Sequence, residues 1–249
     1  MNKTKTVTKF FGSSTKVEKG EALGWRTAVS YLPPGGPLCP WATAGCRETC
    51  LGKTAGRMVM GSVQAAQARR AERLRGLLHA GGLKAAASAY VDDLGARPRR
   101  LAVRVNGTSD LPGLADAVAA EMQARGWLAA GARIYDYTKS ARAALAWCKG
   151  ASRVHRTFSL AEGNWDDARR VLAAGGNVAA VVEGGAAGPL AAGLAESLGA
   201  SQVVDGDEHD LRFLDPDYRG KGPGCLVVLK PKGAARRDAT GFVVREVIK

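Results

Sequence analysis

The sequence contains no apolar run of the roughly 20 residues that a membrane-spanning helix needs. Its most apolar stretch, residues 177–200, is interrupted by Glu183, Glu196 and several glycines. The first 21 residues are polar and basic, and they lack the apolar core of a secretory signal. These absences predict a protein that works in the cytoplasm and does not enter a membrane.

Acidic and aromatic residues are both scarce. Aromatic residues make up 6% of the chain, and 23 Asp and Glu stand against 36 Lys and Arg, which leaves a formal net charge of +13. A charge of this size attracts polyanions, so nucleic acid is the candidate partner. The alternative is an arginine-rich composition with no such role. Hydrophobic residues, at 46%, exclude a disordered tail protein and favour a globular one.

Seven apolar, β-branched runs recur along the chain, and nearly all are followed by helix signals. They are residues 27–32, 101–105, 132–137, 154–160, 177–183, 202–205 and 225–230. From the third run onward the starts are 22 to 25 residues apart, which is the length of one strand–helix unit with short loops. This rhythm predicts parallel strands joined by helices.

The predicted fold is α/β, with about seven strand–helix units in a parallel, barrel-like sheet, a partial or irregular barrel of the TIM type. An open doubly wound sheet is the alternative, but the glycine-rich dinucleotide fingerprint that would favour it is absent. We expect an N-terminal basic arm, residues 1–25, and one barrel-like domain, residues 26–249. Residues 241–247 are expected to add an edge strand.

Several helix ends are marked in the sequence. Asp110 is expected to cap a helix that has Pro112 in its first turn. Pro189 is expected to start a later helix, and Gly199 to end it. A long basic helix is expected to begin at Ser62 and to run to about residue 79.

Three of the five cysteines fall within twelve residues, in a loop spanning residues 37–57 that follows the first predicted strand. Disulfides are not expected in a reducing compartment. Thiolates bind soft or borderline metals, and the spacing of Cys39, Cys46 and Cys50 lets three sulfurs converge on one centre. Cys148 and Cys225 lie in apolar segments and are expected in the core. The remaining alternative is a chance group of free cysteines.

The spacing alone does not separate iron–sulfur from zinc. Three cysteines leave one iron of a four-iron, four-sulfur cluster open, whereas zinc needs a fourth ligand, for which His209 is the candidate. The place of the loop, after the first strand of a β/α unit, resembles the layout of radical S-adenosylmethionine enzymes. That resemblance implies an iron–sulfur cluster with S-adenosylmethionine as a further cofactor. The cysteine gaps differ from that pattern, and no glycine-rich element for the methionine moiety is identifiable.

Polar and ionisable side chains follow most of the predicted strands, and in parallel α/β folds sites gather at those carboxyl ends. Catalytic roles are predicted for Asp110, Lys139, Asp207 and His209. Substrate-binding roles are predicted for Asn106, Ser109, Tyr137, Ser159, Lys230 and Lys232. The structural alternatives are ordinary ones: residues that finish a strand, cap a helix or form a solvated face.

Four separated motifs resemble one protein family. They are the cysteine segment from Cys39 to Arg57, Arg104-Val-Asn-Gly-Thr-Ser-Asp110, Tyr135-Asp-Tyr-Thr-Lys139 and Asp205-Gly-Asp-Glu-His-Asp210. The family is carried by bacteriophages and bacterial mobile elements and is labelled after a phage gene product 88. The resemblance runs from about Ser30 to Val244. It implies a phage or mobile-element origin, and it implies no particular reaction.

Two functions of different classes follow from these residues. The first is an iron–sulfur enzyme that acts on a nucleotide, a nucleic acid or a small metabolite, and the resemblance to radical S-adenosylmethionine enzymes implies the radical type. The second is a non-catalytic nucleic-acid-binding protein with a structural zinc site, in which the basic helix around Arg69–Arg75 and the lysine-rich ends contact phosphate. An open metal position favours the first, and a closed four-ligand site favours the second.

Overall fold

A computed structural model of the chain describes residues 9–12, 15–95 and 100–246. The strands are β1 (Phe11–Gly12), β2 (Arg26–Ser30), β3 (Leu101–Arg104), β4 (Arg133–Thr138), β5 (His155–Ser159), β6 (Val178–Val182), β7 (Val203–Asp205), β8 (Leu226–Leu229) and β9 (Val243–Val244). The α-helices are α1 (Thr15–Ala22), α2 (Ala44–Glu48), α3 (Leu51–Thr54), α4 (Gly61–Asp93), α5 (Pro112–Ala124), α6 (Ala141–Cys148), α7 (Trp165–Ala173) and α8 (Pro189–Leu198). Short 3₁₀ turns cover Gly36–Leu38, Gly56–Val59, Arg212–Leu214 and Gly233–Arg237.

The strands form one nine-stranded, mostly parallel sheet in the order β1-β2-β3-β4-β5-β6-β8-β7. Strand β1 pairs antiparallel with β2, and β9 pairs parallel with β6 beyond the main path. All seven predicted runs form strands, β2 to β8, so the predicted parallel α/β arrangement is confirmed. The predicted edge strand also forms, but it lies beside β6 and not at the end of the order.

Helices α4 to α8 pack on one face of the sheet. On that face Val103 and Ile134 lie in a hydrophobic cluster with α4 and α5, and Phe158 and Val178 lie in a second with α6, α7 and α8. The residues that alternate with these, such as Ala102 and Tyr135, point to the other face. The predicted strand–helix units therefore share one covered face.

Residues 206–222, which connect β7 to β8, cross the opposite face of the sheet. Parallel connections are right-handed in nearly all proteins, so a chain that reverses its direction across the sheet must return on the other side. Strand β8 inserts between β6 and β7, and this is such a reversal. Leu211 packs with Ala102 and Tyr135, and Arg104 donates two hydrogen bonds to Asp210, at 2.9 and 3.0 Å. We call residues 206–222 the crossing segment.

The sheet is open, so the predicted closure into a TIM-type barrel is not confirmed. Within the described residues β1 and β7 end the strand order and do not pair with each other. A barrel would have to close over the face opposite the long helices. Here that face is already covered by the crossing segment and by α1, whose Val17 packs against Val29 and Tyr31. Sequence periodicity detects the units but not what fills this face.

The described part of the expected N-terminal arm is docked on the sheet. Phe10 is fully buried and its ring stacks on Tyr90 of α4, with centroids 3.8 Å apart. The guanidinium of Arg73 lies 4.3 Å from the centre of the Phe10 ring and pairs with Asp93. Arg70 donates to the carbonyl of Lys9 at 3.0 Å. Residues 1–8 of the arm lie outside the described residues.

Helix ends agree with the sequence at some positions and not at others. Helix α8 begins at Pro189 and ends before Gly199, which is left-handed with φ 73°, as expected. The long basic helix continues to Asp93 as α4, with non-helical backbone at Gly81 and Gly82. Asp110 was expected to cap α5, but Leu111 holds that position and makes no side-chain cap. No helix in the described parts of the chain is both long and apolar enough to cross a membrane.

Gly224 allows two backbone segments to touch, and this gives a first prediction. A Cβ atom at this position would lie 2.0 Å from the carbonyl oxygen of Gly176, just before β6. A G224A substitution must therefore displace backbone, and we expect a loss of about 1–3 kcal/mol in the free energy of unfolding. Gly113 in α5 is the matched control, because a Cβ there would meet nothing within 4 Å. We expect G113A to be neutral or stabilising by about 0.4–1 kcal/mol. Urea denaturation measures both, and equal effects would contradict the close approach.

Candidate functional site

The cysteine loop, residues 37–57, and the residues that flank it fold as a chain of short helical turns. Gly35 and Gly36 have φ values of 100° and 55°, which turn the chain away from β2 into the first 3₁₀ turn, and Cys39 ends it. Thr43 caps α2 by accepting a hydrogen bond from the N–H of Cys46 at 3.2 Å. Cys50 stands between α2 and α3. Local capping thus fixes the backbone around all three cysteines.

The loop crosses the carboxyl edge of the sheet and is tied to the ends of three strands. After β3, the hydroxyl of Thr108 donates to the carbonyl of Leu32 at 2.5 Å, and the N–H of Asp110 donates to that of Leu38 at 2.8 Å. After β5, Glu162 Oε1 accepts from the N–H of Gly45 at 2.6 Å. After β8, the N–H of Ala234 contacts the hydroxyl of Thr54 at 3.5 Å. The cysteines therefore lie where the sequence predicted them, over the carboxyl ends of the strands.

The three thiols act on one another electrostatically. Burial raises the pKa of Cys39, the hydrogen bond from the N–H of Gly35 lowers it, and the charges of Cys46 and Asp110 raise it further. Burial also raises the pKa of Cys50, and the charges of Cys46 and Cys39 add to the effect. Two effects oppose this increase at Cys50: a backbone hydrogen bond from Gly52 and the charge of Lys53. Burial therefore favours the protonated forms of Cys39 and Cys50.

Metal binding in this loop would have to overcome the raised pKa values of Cys39 and Cys50. A metal does so by deprotonating the thiols that coordinate it. Gly35 donates to Cys39 Sγ at 3.2 Å, and hydrogen bonds of this kind to sulfur tune iron–sulfur centres. Within residues 9–12, 15–95 and 100–246, no three His, Cys, Asp or Glu side chains are already arranged to ligate a metal. Side-chain rotations within the loop would therefore have to accompany binding.

Five of the predicted site residues form two neighbouring hydrogen-bonded groups after β3, β4 and β5. Asn106 Oδ1 accepts from the hydroxyl of Ser109 at 2.8 Å. The carboxylate of Asp110 accepts from the hydroxyl of Thr138 at 2.7 Å and from the N–H of Lys139 at 2.8 Å. Lys139 Nζ donates to the hydroxyl of Ser159 at 3.3 Å. Burial raises the pKa of Asp110, and the two bonds that it accepts lower it.

A second group of predicted residues lies at the ends of β7 and β8. The carboxylate of Asp207 accepts from the backbone N–H of Lys230 at 2.9 Å and from Lys232 Nζ at 2.5 Å. Burial raises the pKa of Asp207, but these two lysine hydrogen bonds more than offset it, so the net shift is downward. Lys19 of α1 also donates to the carbonyl of Asp207. Asp207 is therefore an ionised carboxylate that holds the residues after β7 to the residues after β8.

His209 is not joined to the cysteines by any hydrogen bond in the part of the chain that the structure describes. Its Nδ1 lies 2.9 Å from Nη2 of Arg212, and the same guanidinium donates to its carbonyl at 2.5 Å. Burial and the charge of Arg212 lower its pKa, with Glu208 and Asp210 opposing. The structure thus places His209 at the start of the crossing segment as a partner of Arg212.

Tyr137 lies below the carboxyl edge, on the face covered by the crossing segment. The guanidinium of Arg104 is 4.5 Å from the centre of its ring. Burial raises the pKa of Tyr137, and the charges of Arg212 and Arg104 lower it. On the helix-covered face, burial raises the pKa of Asp136 to about 7, although Arg104 and the amide of Asn106 favour its charged form. Tyr137, Arg104 and Asp136 therefore support the carboxyl edge of the sheet from within the fold.

Glu162 is a site residue that sequence reasoning did not select, although it follows a predicted strand. Its Oε1 holds α2, while its Oε2 is buried without a hydrogen-bond partner among the described residues. Phe242, just before β9, brings a ring 5.6 Å from Lys139 Nζ. The signal for Glu162 was its position after β5. Phe242 gave no signal, because the pairing of β9 with β6 was not expected.

The hydrogen bond from Gly45 to Glu162 gives a second prediction. We expect E162A to free the N-terminus of α2, at a cost of about 1 kcal/mol, and to speed trypsin cleavage within the cysteine loop about fivefold. The loop offers Arg47, Lys53 and Arg57 to the protease. E162Q keeps an acceptor oxygen and is the matched control, expected to be cut at the wild-type rate. Wild-type cleavage of E162A would show that this bond does not hold the loop.

Comparison with known proteins gave one match. A family model described as gene product 88 matches residues 2–246. No curated protein and no solved structure matched the chain. The resemblance of the cysteine loop to radical S-adenosylmethionine enzymes therefore receives no support from these comparisons.

Proposed function

We propose that this chain, which belongs to the gene product 88 family, is an iron–sulfur enzyme with its centre at the carboxyl edge of the sheet. Cys39, Cys46 and Cys50 would hold a four-iron, four-sulfur cluster. Such a cluster supplies an open iron that binds substrate or S-adenosylmethionine, as a Lewis acid or electron donor. The substrate classes are a nucleotide, a nucleic acid or a small metabolite.

The observation that carries this proposal is the placement of three partly buried cysteines of one loop over the carboxyl ends of parallel strands. Ligands of α/β proteins bind at these ends, so the loop occupies the position where a reactive centre would face substrate. The sheet is open and mostly parallel, and the sites of parallel α/β folds lie at this same edge.

Lys139 is the residue best placed to bind substrate beside the cysteines. Its ammonium contacts the hydroxyl of Ser159 and the Phe242 ring, and no carboxylate among the described residues pairs with it. It would hold an anionic group of the substrate, with Ser159 as a second contact. Asp110 would act as a positioning residue for Lys139. One oxygen of its carboxylate accepts from the hydroxyl of Thr138, and the other accepts from the backbone N–H of Lys139.

The second candidate is a nucleic-acid-binding protein with structural zinc. Its supporting observation is the net charge of +13, with Arg69 and Arg75 exposed on α4. Arg70 and Arg73 are less suited to phosphate, since they hold the N-terminal segment. A zinc site would also need a fourth ligand, and the structure holds His209 against Arg212.

Electron paramagnetic resonance of anaerobically purified, reduced protein tests the proposed function. We expect a spectrum of a reduced four-iron cluster that changes when S-adenosylmethionine or a nucleotide is added, because one iron lacks a protein ligand. A spectrum that no added ligand changes would contradict the open iron. Protein with stoichiometric zinc and no signal would favour the binding-protein alternative.

A further inference from the structure

A cleft of about 280 Å³ opens at the amino-terminal edge of the sheet, on the opposite side from the cysteine loop. It is lined by the first residues of β4 and β5, the end of α6 and residues 213–219 of the crossing segment. Its volume is close to the lower limit, about 300 Å³, of ordinary small-molecule sites. Its apolar floor includes Leu128 and Ile134.

The cleft carries two positive charges that no carboxylate compensates within the described chain. Of the three arginines that line it, Arg219 is neutralised by Asp217, which accepts from its Nε at 2.9 Å and its Nη2 at 2.6 Å. Arg133 donates to the carbonyl of Ala132 at 3.2 Å, and Arg153 makes no hydrogen bond or ion pair with any described residue. Both guanidinium groups are therefore available to an anion.

Planar groups form one wall. The guanidinium carbon of Arg219 lies 3.7 Å from the centre of the Trp147 ring, and the His155 ring is tilted by 55° to that of Trp147 with its centre 5.0 Å away. Burial and the charge of Arg219 lower the pKa of His155 to about 4, so the imidazole is neutral at pH 7. Its Nδ1 is buried without a hydrogen-bond partner among the described side chains and backbone.

We propose that this cleft binds a nucleotide, with its phosphate on Arg133 and Arg153 and its base against the floor and the Trp147–Arg219 stack. Guanidinium groups match phosphate oxygens in pairs, and bases stack on aromatic rings and on guanidinium planes. The ligand carries a phosphate next to a planar base. A free nucleotide or the end of a nucleic-acid chain would supply both groups. This site goes beyond the proposed function and does not depend on the cysteines.

Titration calorimetry of the full chain tests the proposal with the four nucleoside monophosphates, adenosine, inorganic phosphate and a five-nucleotide DNA. We expect at least one monophosphate to bind, and adenosine and phosphate alone to bind at least about tenfold more weakly.

We expect R153A to weaken nucleotide binding about 10- to 100-fold, the effect of one charged hydrogen-bonding group. R169A is the matched control, because Arg169 is an exposed arginine of α7 paired with Asp166. R133A serves as the second variant. If the five-nucleotide DNA binds more tightly than the monophosphates, the ligand is the end of a nucleic-acid chain. If the two affinities are equal, the ligand is a free nucleotide.

Three outcomes would overturn the proposal. The first is no binding of any monophosphate at millimolar concentration, and the second is phosphate binding as tight as that of the nucleotides. The third is wild-type affinity in both R153A and R133A.

Discussion

Single replacements of Cys39, Cys46 or Cys50 by Ala are expected to lose at least about tenfold in bound metal. Loss of a residue that only supports a ligand lowers metal affinity about 10- to 100-fold, so loss of a ligand should cost no less. The three residues sit in one loop, and the charges of Cys46 and Cys39 act on Cys50. Iron, sulfide and zinc measured on anaerobically purified variants check this expectation.

Cys148→Ala is the matched control. Cys148 is also a free, half-buried cysteine, but it ends α6 and packs against the core cluster of the second half of the sheet. It is expected to keep the full metal content. Equal loss in C148A and in the three loop variants would mean that metal content follows general stability, which the midpoint of urea denaturation would reveal.

An R104M substitution is expected to destabilise the protein by about 3–5 kcal/mol, because it leaves a buried carboxylate without its cation. Arg104 is 6% exposed and Asp210 is 6% exposed, and two hydrogen bonds join them between β3 and the crossing segment. The hydroxyl of Tyr135 also donates to Asp210, at 3.3 Å, and this bond does not replace the lost positive charge. Urea denaturation at pH 7 measures the loss.

The double variant R104M/D210L is expected to recover part of that stability, since the carboxylate of Asp210 is removed together with the cation that pairs with it. R169M is the surface control. It breaks the exposed pair with Asp166 and should change the free energy of unfolding by at most about 1 kcal/mol. A loss of less than about 1 kcal/mol in R104M would show that the pair does not hold the crossing segment on the sheet.

The strands of this fold could be read from the sequence because both faces of the sheet are covered. Continuous apolar runs such as residues 177–183 follow from that burial, and the structure has β6 at Val178–Val182. The order of the strands could not be read. Nothing in the local pattern says that β8 inserts between β6 and β7, and this reversal is what sends residues 206–222 across the face that a barrel would enclose.

The candidate site was predictable only as far as its residues follow strand ends. That rule brought Asp110, Lys139 and Ser159 together correctly in space. It could not distinguish roles. Asp110 looks like a helix cap in the sequence, but it bonds to Thr138 instead, and His209 bonds to Arg212, because both choices depend on elements distant in the chain.

The iron and acid-labile sulfide content of the wild-type protein, purified without oxygen, tests the central claim most directly. A four-iron cluster held by Cys39, Cys46 and Cys50 predicts about four iron and four sulfide per folded chain, together with a brown colour. Folded protein that is colourless and free of both iron and zinc would contradict the claim that these three cysteines hold a metal centre.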